Sequence, residues 1–224
     1  MKNKTDESII TYDNIVKETI DYYNKGELKN KLEFQEEADL IINMLTENAT
    51  ILDVGTGIGL YPKYLTEKCN KNFNVLGIDT SKNMLEVAKK EAPKAKFQIM
   101  DMRNMALSNN SCDAILCLAT LIHVDDEQAL KIMESFDKLL KPNGVIIINA
   151  MEHLSGPKEI YDVEPFNPKY NMYYNRYNKN FFLNFFSIKD YEIIDIIDHP
   201  IYNIEQVENV DFNTNQFSII AKKN

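Results

Sequence analysis

Apolar positions fall at two different spacings along this chain, and the change between them divides it into three stretches. In the first they recur every three to four residues: Tyr12, Ile15, Val16, Ile20 and Tyr23, then Phe34, Ala38, Ile41, Ile42 and Leu45. That spacing sets them along one stripe of a helix, so two helices are predicted, joined by a loop over residues 24–31 that contains Gly26. From residue 50 short apolar runs alternate with helical stripes. The runs at 50–54, 74–78, 96–100, 112–118 and 145–148 are predicted strands. Between them fall a helix from Leu60, a helix that Ser81 can cap and that ends before Pro93, and a stripe of Ala129, Ile132, Met133, Phe136, Leu139 and Leu140. Pro142-Asn143-Gly144 reads as a turn before the fifth strand. Strands separated by single helices pair in parallel through right-handed crossovers. Near-continuous apolar strands belong to a sheet covered on both faces. The prediction is a doubly wound α/β fold.

The last third breaks this rhythm. Residues 152–180 hold Tyr161, Tyr170, Tyr173, Tyr174 and Tyr177 among Asn and Pro, with no clean period. Residues 180–186 suit either a strand or a helix start, 188–197 reads as helix, and 201–207 and 216–221 read as two strands. No repeat or linker interrupts the chain. One domain over 1–224 is expected, with a helical cap (1–48), a core (49–150) and a substrate-side segment with the closing strands (151–224).

The first predicted strand runs into Asp53-Val54-Gly55-Thr56-Gly57-Ile58-Gly59, and a helix follows. Glycines there let the backbone turn tightly and approach a ligand, and the helix N-terminus offers free N–H groups. Asp79 ends the second strand, where a carboxylate can accept from ribose hydroxyls. The dinucleotide pattern GxGxxG fails, because its sixth position is Leu60. The pattern is instead DxGxGxG, and with it the chain resembles the class I methyltransferases that use S-adenosylmethionine (SAM). Asp101-Met102 after the third strand, residues 109–118 (NNSCDAILCL) and Leu139-Leu140-Lys141-Pro142-Asn143-Gly144 resemble further family segments, so the likeness covers about residues 50–150 in order. Thr56 stands where many members have Cys, and Asn143 where Gly is common.

The resemblance implies a Rossmann-like, mostly parallel seven-stranded sheet closed by an antiparallel C-terminal hairpin, here 201–207 with 216–221. It implies SAM as cofactor and S-adenosylhomocysteine as product. The cofactor contacts it implies are Asp53, Gly55, Thr56, Gly57, Gly59, Asp79, Thr80, Met84, Asp101, Met102, Leu118 and Tyr12, the last from an N-terminal "YD" segment that folds over SAM.

Charge narrows the acceptor. There are 25 Lys and Arg against 34 Asp and Glu, a net charge of −9, without a basic patch. A phosphate backbone is repelled by such a surface, so no nucleic-acid partner is expected. The fourth predicted strand also lacks the [DNS]PP[YFW] signature of amino-methylating DNA enzymes, reading Cys117-Leu118-Ala119-Thr120. Three cysteines, Cys69, Cys112 and Cys117, lack CxxC spacing; Cys112 and Cys117, in or beside an apolar run, read as buried small hydrophobes, and a reducing, cytoplasmic setting is expected. The N-terminus is polar and no apolar run approaches ~18 residues, so neither a signal peptide nor a membrane span is expected. A monomer or homodimer acting on a small molecule is the expectation.

Methyl transfer from a sulfonium mainly requires an oriented nucleophile at nitrogen or oxygen. His123, after the fourth strand, is the candidate general base. His153, Tyr173 and Tyr174 are candidate substrate contacts beside it, the Tyr-rich segment supplying a lid or wall. His199 is read as structural, and Asp125-Asp126-Glu127 as a helix cap rather than a metal site. Two other readings fit the glycine loop: a non-catalytic SAM-binding sensor or partner subunit, and a methyltransferase acting on protein or tRNA.

Overall fold

The computed structural model describes residues 4–24, 32–199 and 215–224. Strands β1 (Thr50–Val54), β2 (Asn74–Asp79), β3 (Lys96–Ile99), β4 (Cys112–Cys117), β5 (Leu140–Met151), β8 (Tyr191–His199) and β9 (Gln216–Lys223) form one sheet, ordered β3-β2-β1-β4-β5-β9-β8. The first five pair in parallel; β9 pairs antiparallel with both β5 and β8. The order reverses between β1 and β4, which opens a crevice at their C-terminal ends, the place where such sheets bind ligands.

Alternation along each strand builds two cores, one per face. Leu52, Ile115, Cys117, Ile146, Ile148 and Ile219 pack with Ile132 and Phe136 of α6 (Asp126–Leu139) and with Phe182 and Phe186 of α7 (Lys179–Ile188). Their strand neighbours Ile51, Ala114, Leu116, Ile147 and Ile220 pack instead with Ile41 of α3 (Gln35–Met44) and Leu65 of α4 (Leu60–Glu67). That two-sided burial is why the strands read as continuous apolar runs. Helix α5 (Lys82–Glu91) begins where expected: Ser81 Oγ accepts from Met84 N at 3.1 Å. Asp125 caps α6 in the same way, accepting from Gln128 N at 2.9 Å.

Several elements differ from the sequence reading. The first helical stripe is split at Ile15 into α1 (Lys4–Asn14) and α2 (Val16–Tyr23). The turn expected at Pro142–Gly144 is absorbed into β5 as a bulge, with Asn143 at φ 63°. Residues 180–186 lie in a helix, α7, whose N-cap Asn178 accepts from Asn180 N. The helix expected over 188–197 is the edge strand β8, so the partner of β9 in the closing antiparallel pair is 191–199. The strand expected at 201–207, and residues 25–31 of the first loop, lie outside the described residues. The aperiodic segment contains a second, two-stranded sheet, β6 (Glu159–Glu164) with β7 (Asn167–Asn175). Among the described residues no helix is long and apolar enough to cross a membrane.

Candidate cofactor and acceptor site

The glycine loop after β1 uses each of its glycines differently. Gly55 and Thr56 donate their N–H groups to the Ile78 carbonyl at 2.9 and 3.0 Å, holding the loop against β2. Gly55 has φ 72°, and a Cβ there would lie 2.3 Å from Thr120 Oγ1, whose hydroxyl donates to the Val54 and Leu118 carbonyls. Gly55 is thus demanded by the protein's own packing. A Cβ at Gly59 would lie 2.8 Å from that of Ala88, so the glycine lets α4 start close to α5. At Gly57, φ 52°, a Cβ would meet nothing within 4 Å: its open side belongs to the cavity.

Three acids stand at the strand ends around this loop. Asp79 accepts from Gly57 N through Oδ2 and from Ser81 N through Oδ1, both at 2.9 Å. Burial raises its pKa, and those backbone donors hold the rise in check. Asp53 is buried and accepts from Thr56 Oγ1 at 2.5 Å; burial pushes its carboxyl up to about 7 against that bond. Asp101 loses more to burial than to any single partner, yet the hydrogen bonds and charge of Arg103 together keep it below the usual carboxylate range. The Arg103 guanidinium grips it at 2.6 Å and donates onward to Asp6 of α1 at 2.9 Å. Asp13 anchors the other end of α1, accepting from Ser81 Oγ at 2.7 Å and Asn83 N at 3.2 Å. Arg103 is not marked by the sequence pattern, its only signal being that it lies two residues past Asp101; Asp13 is the acid of the Tyr12-Asp13 pair, where the sequence reading singled out Tyr12 alone.

These groups line one end of a cavity of about 260 Å³. Of the twelve expected cofactor residues, eleven lie in its wall, and Gly59 does not. At the other end His123 is buried with both nitrogens engaged: Nδ1 lies 3.1 Å from the Tyr173 carbonyl, and Nε2 lies 3.0 Å from the Tyr12 hydroxyl. A carbonyl only accepts, so Nδ1 carries the proton and Nε2 accepts from Tyr12. Burial pushes the His123 pKa down to about 4, with the Tyr173 bond opposing. Tyr12 stands between the two ends: burial, and then the charges of Glu164 and Asp79, hold its pKa well above the usual range.

The remaining candidates separate. Tyr174 lines the cavity and its ring sits 5.4 Å from that of His123. Tyr173, next on the strand, faces away, packing on Tyr161 and under the Lys4 ammonium. His153 lies outside the wall, its Nε2 3.0 Å from the Gly156 carbonyl. His199 bonds Glu37 at 2.7 Å, in keeping with a structural role. Tyr22, Tyr23, Glu33, Glu164 and Phe166, which the sequence pattern does not mark as site residues, also line the cavity.

Residues 51–144 match a methyltransferase domain family. Over 141 residues the chain is 32% identical to phosphoethanolamine N-methyltransferase 1 of Arabidopsis thaliana, covering 61% of this chain and 26% of that protein. Phosphoethanolamine N-methyltransferase of Plasmodium falciparum is 27% identical over 163 residues, covering 71% of this chain and 57% of that one. The chain thus spans about a quarter of the plant relative and just over half of the Plasmodium one. A solved SAM-dependent methyltransferase of Methanosarcina mazei superposes with a TM-score of 0.69 at 18% identity, over 82% of this chain and 96% of that one. Sheet order, glycine loop and the match over residues 51–144 converge on one likeness: this stretch is similar to the methyltransferase domain family, and the fold is that of solved SAM-dependent methyltransferases.

Proposed function

We propose that the protein binds SAM through the glycine loop, Asp79 and Asp101, and methylates the nitrogen of a small amine held at the Tyr12–His123 end. One observation carries this reading: a single cavity joins the open cradle at Gly57 to the Tyr12–His123 pair. The cradle fits SAM, since the backbone beside Gly57 leaves room that any side chain would fill. When bound, SAM supplies an electrophilic methyl group: the acceptor's lone pair forms the new bond while the carbon–sulfur pair returns to sulfur, leaving S-adenosylhomocysteine. Asp79 would meet the ribose. Asp101, already locked by Arg103, would present a fixed carboxylate edge to the adenine, with Met102 against the ring. Tyr12 donates to His123, which leaves its oxygen lone pairs free to accept from an acceptor N–H.

The weak basicity of His123 favours nitrogen over oxygen. With a pKa near 4 it is protonated in only about one molecule in a thousand at pH 7. Such a group is a poor base for a hydroxyl. A neutral amine needs no base before attack, only orientation. His123 therefore acts as a positioning residue through Tyr12. The names of the Arabidopsis and Plasmodium relatives, both N-methyltransferases, support the same atom.

Calorimetric titration with SAM and S-adenosylhomocysteine tests the reading. Micromolar binding is expected, weakened about 100-fold in Asp79→Ala, since a charged hydrogen-bond partner of this kind contributes about 1.5–3 kcal/mol. Asp79→Asn, which keeps an acceptor for the Gly57 N–H, should fall between. No binding by the folded wild type would sink the proposal.

A further inference from the structure

Glu164, at the end of β6, is a buried acid in the cavity wall with half of its hydrogen-bonding capacity unused. It is 0% exposed. Its Oε2 accepts from the Phe166 and Asn167 N–H groups at 2.7 and 2.8 Å, which fixes the carboxylate in the tight turn between β6 and β7. Its Oε1 has no hydrogen-bond partner. Buried polar oxygens are normally paired, and one left open beside a cavity calls for a partner from a ligand. Burial pushes its carboxyl up to about 7, with the two backbone donors opposing.

The surroundings define the charge of that ligand. Glu33 lines the same end of the cavity and accepts from the Tyr23 hydroxyl at 3.2 Å. Tyr22 and Phe166 pack with ring centroids 4.7 Å apart and planes tilted by 49°, and Tyr174 lines the same cavity. Aromatic faces attract a cation. Among the described residues, no Lys or Arg lines the cavity. Three nearby basic side chains are held by acids of their own: Lys4 by Glu159, Lys158 by Asp126, and Arg103 by Asp101 and Asp6. A phosphate carries close to two negative charges and is recognised by Arg or Lys. Among the described residues, it would enter beside two carboxyl groups with no counter-charge in the wall. The acceptor end is therefore built unlike what the relatives' substrate name would require.

Resting on the proposed function above, we infer that the acceptor is a cationic amine without a phosphate, its ammonium anchored by Glu164 Oε1 and walled by Tyr22, Phe166 and Tyr174. The anchored nitrogen must be presented to the Tyr12 hydroxyl once it has lost its extra proton to water, so Glu164 selects the acceptor and Tyr12 orients it.

The full chain saturated with S-adenosylhomocysteine tests this by calorimetric titration with four probes. Ethanolamine and 2-phenylethylamine carry the ammonium, O-phosphoethanolamine adds the phosphate, and 2-phenylethanol lacks the charge. At least one of the two plain amines should bind at least tenfold more tightly than O-phosphoethanolamine and than 2-phenylethanol. Glu164→Gln should weaken that amine at least tenfold while S-adenosylhomocysteine affinity stays within twofold, which also reports that the variant is folded. Glu164→Asp should restore part of the loss. Equal or tighter binding of O-phosphoethanolamine, equal binding of the alcohol, no binding by either amine, or indifference to Glu164→Gln would each overturn the inference. If S-adenosylhomocysteine itself fails to bind the wild type, it is the broader function that falls, before any amine is added.

Discussion

The two ends of the cavity are assembled in opposite ways. At the cofactor end each acid finds partners a few residues away or one strand over: Asp53 with Thr56, Asp101 with Arg103, Asp79 with Ser81 and Gly57. At the acceptor end the partners come from distant parts of the chain. Tyr12 meets His123 across 111 residues, His123 meets the Tyr173 carbonyl across 50, and Asn167 reaches Glu18 across 149. The first end is set once β1, β2 and β3 are side by side. The second exists only when α1, α2 and the β6–β7 hairpin dock together. On the proposed function, cofactor recognition is thus a local property of the strand ends, and acceptor choice a property of long-range docking, which can change without disturbing the glycine loop.

The largest expected effect separates folding from binding within the glycine loop itself. Gly55→Ala would put a Cβ against Thr120 at a positive φ, combining backbone strain with overpacking. Each contributes about 1–3 kcal/mol, so a loss of about 3 kcal/mol or more in thermal or denaturant unfolding is expected. Gly57→Ala has room for its methyl group and carries only the strain of its φ, about 1 kcal/mol. Its SAM affinity should nevertheless fall at least tenfold. Equal destabilisation of the two variants would show that Gly57 serves packing and not the ligand.

A second test asks whether the acceptor end is the acid-sensitive half. His123 has an ordinary pKa of 6.5 when unfolded and about 4 when folded. Between those values the unfolded chain binds the proton and the native chain does not, so His123 contributes stability that is complete above about pH 6.5 and is lost as pH falls towards 4. At about 1.4 kcal/mol for each tenfold change, the loss approaches 3 kcal/mol. Asp53 and Glu164, both pushed up to about 7, act in the opposite direction: they favour the native state as pH falls from 7 towards their ordinary values. The clean observable is therefore the stability difference between wild type and His123→Gln, in which the carboxyl contributions cancel. It should shrink by about 3 kcal/mol from pH 7 to pH 4. A flat difference would mean that His123 is not held neutral.

The same division explains what the sequence made legible. The glycine loop, Asp79 and Asp101 lie at the ends of strands whose apolar runs are unmistakable, so position along the strand already locates them in space. Tyr173 and Tyr174 could not be told apart, because only the pairing of β7 with β6 decides which side chain turns to the cavity. Glu164 looks like any acid in an aperiodic stretch; its burial comes from the hairpin turn and from α2 packed beside it. Strand β8 reads as helix in the sequence for a related reason. Ile193, Ile194, Ile196 and Ile197 fall at spacings that also suit a helical stripe, and as an edge strand β8 leaves Ile194 and Ile196 partly exposed. Its start is set by Asp190 at φ 60°, which turns the chain out of α7.

The smallest effect probes the hinge between the two ends. Asp13 ties α1 to the start of α5 through Ser81 and Asn83, while Ser81 N also bonds Asp79. Asp13→Ala removes these contacts at a partly exposed site, so it should cost only about 0.5–1 kcal/mol of global stability. Tyr12 is the next residue on α1, however, and its hold on His123 depends on where that helix lies. SAM affinity should therefore fall a few-fold, and the apparent affinity for the amine acceptor more, because α1 carries Tyr12 into the acceptor end. Steady-state titration of both substrates reads the two effects side by side. If the two affinities fell by the same factor, α1 would belong to the cofactor end as much as to the acceptor end, and the division between them would have to be redrawn at α2.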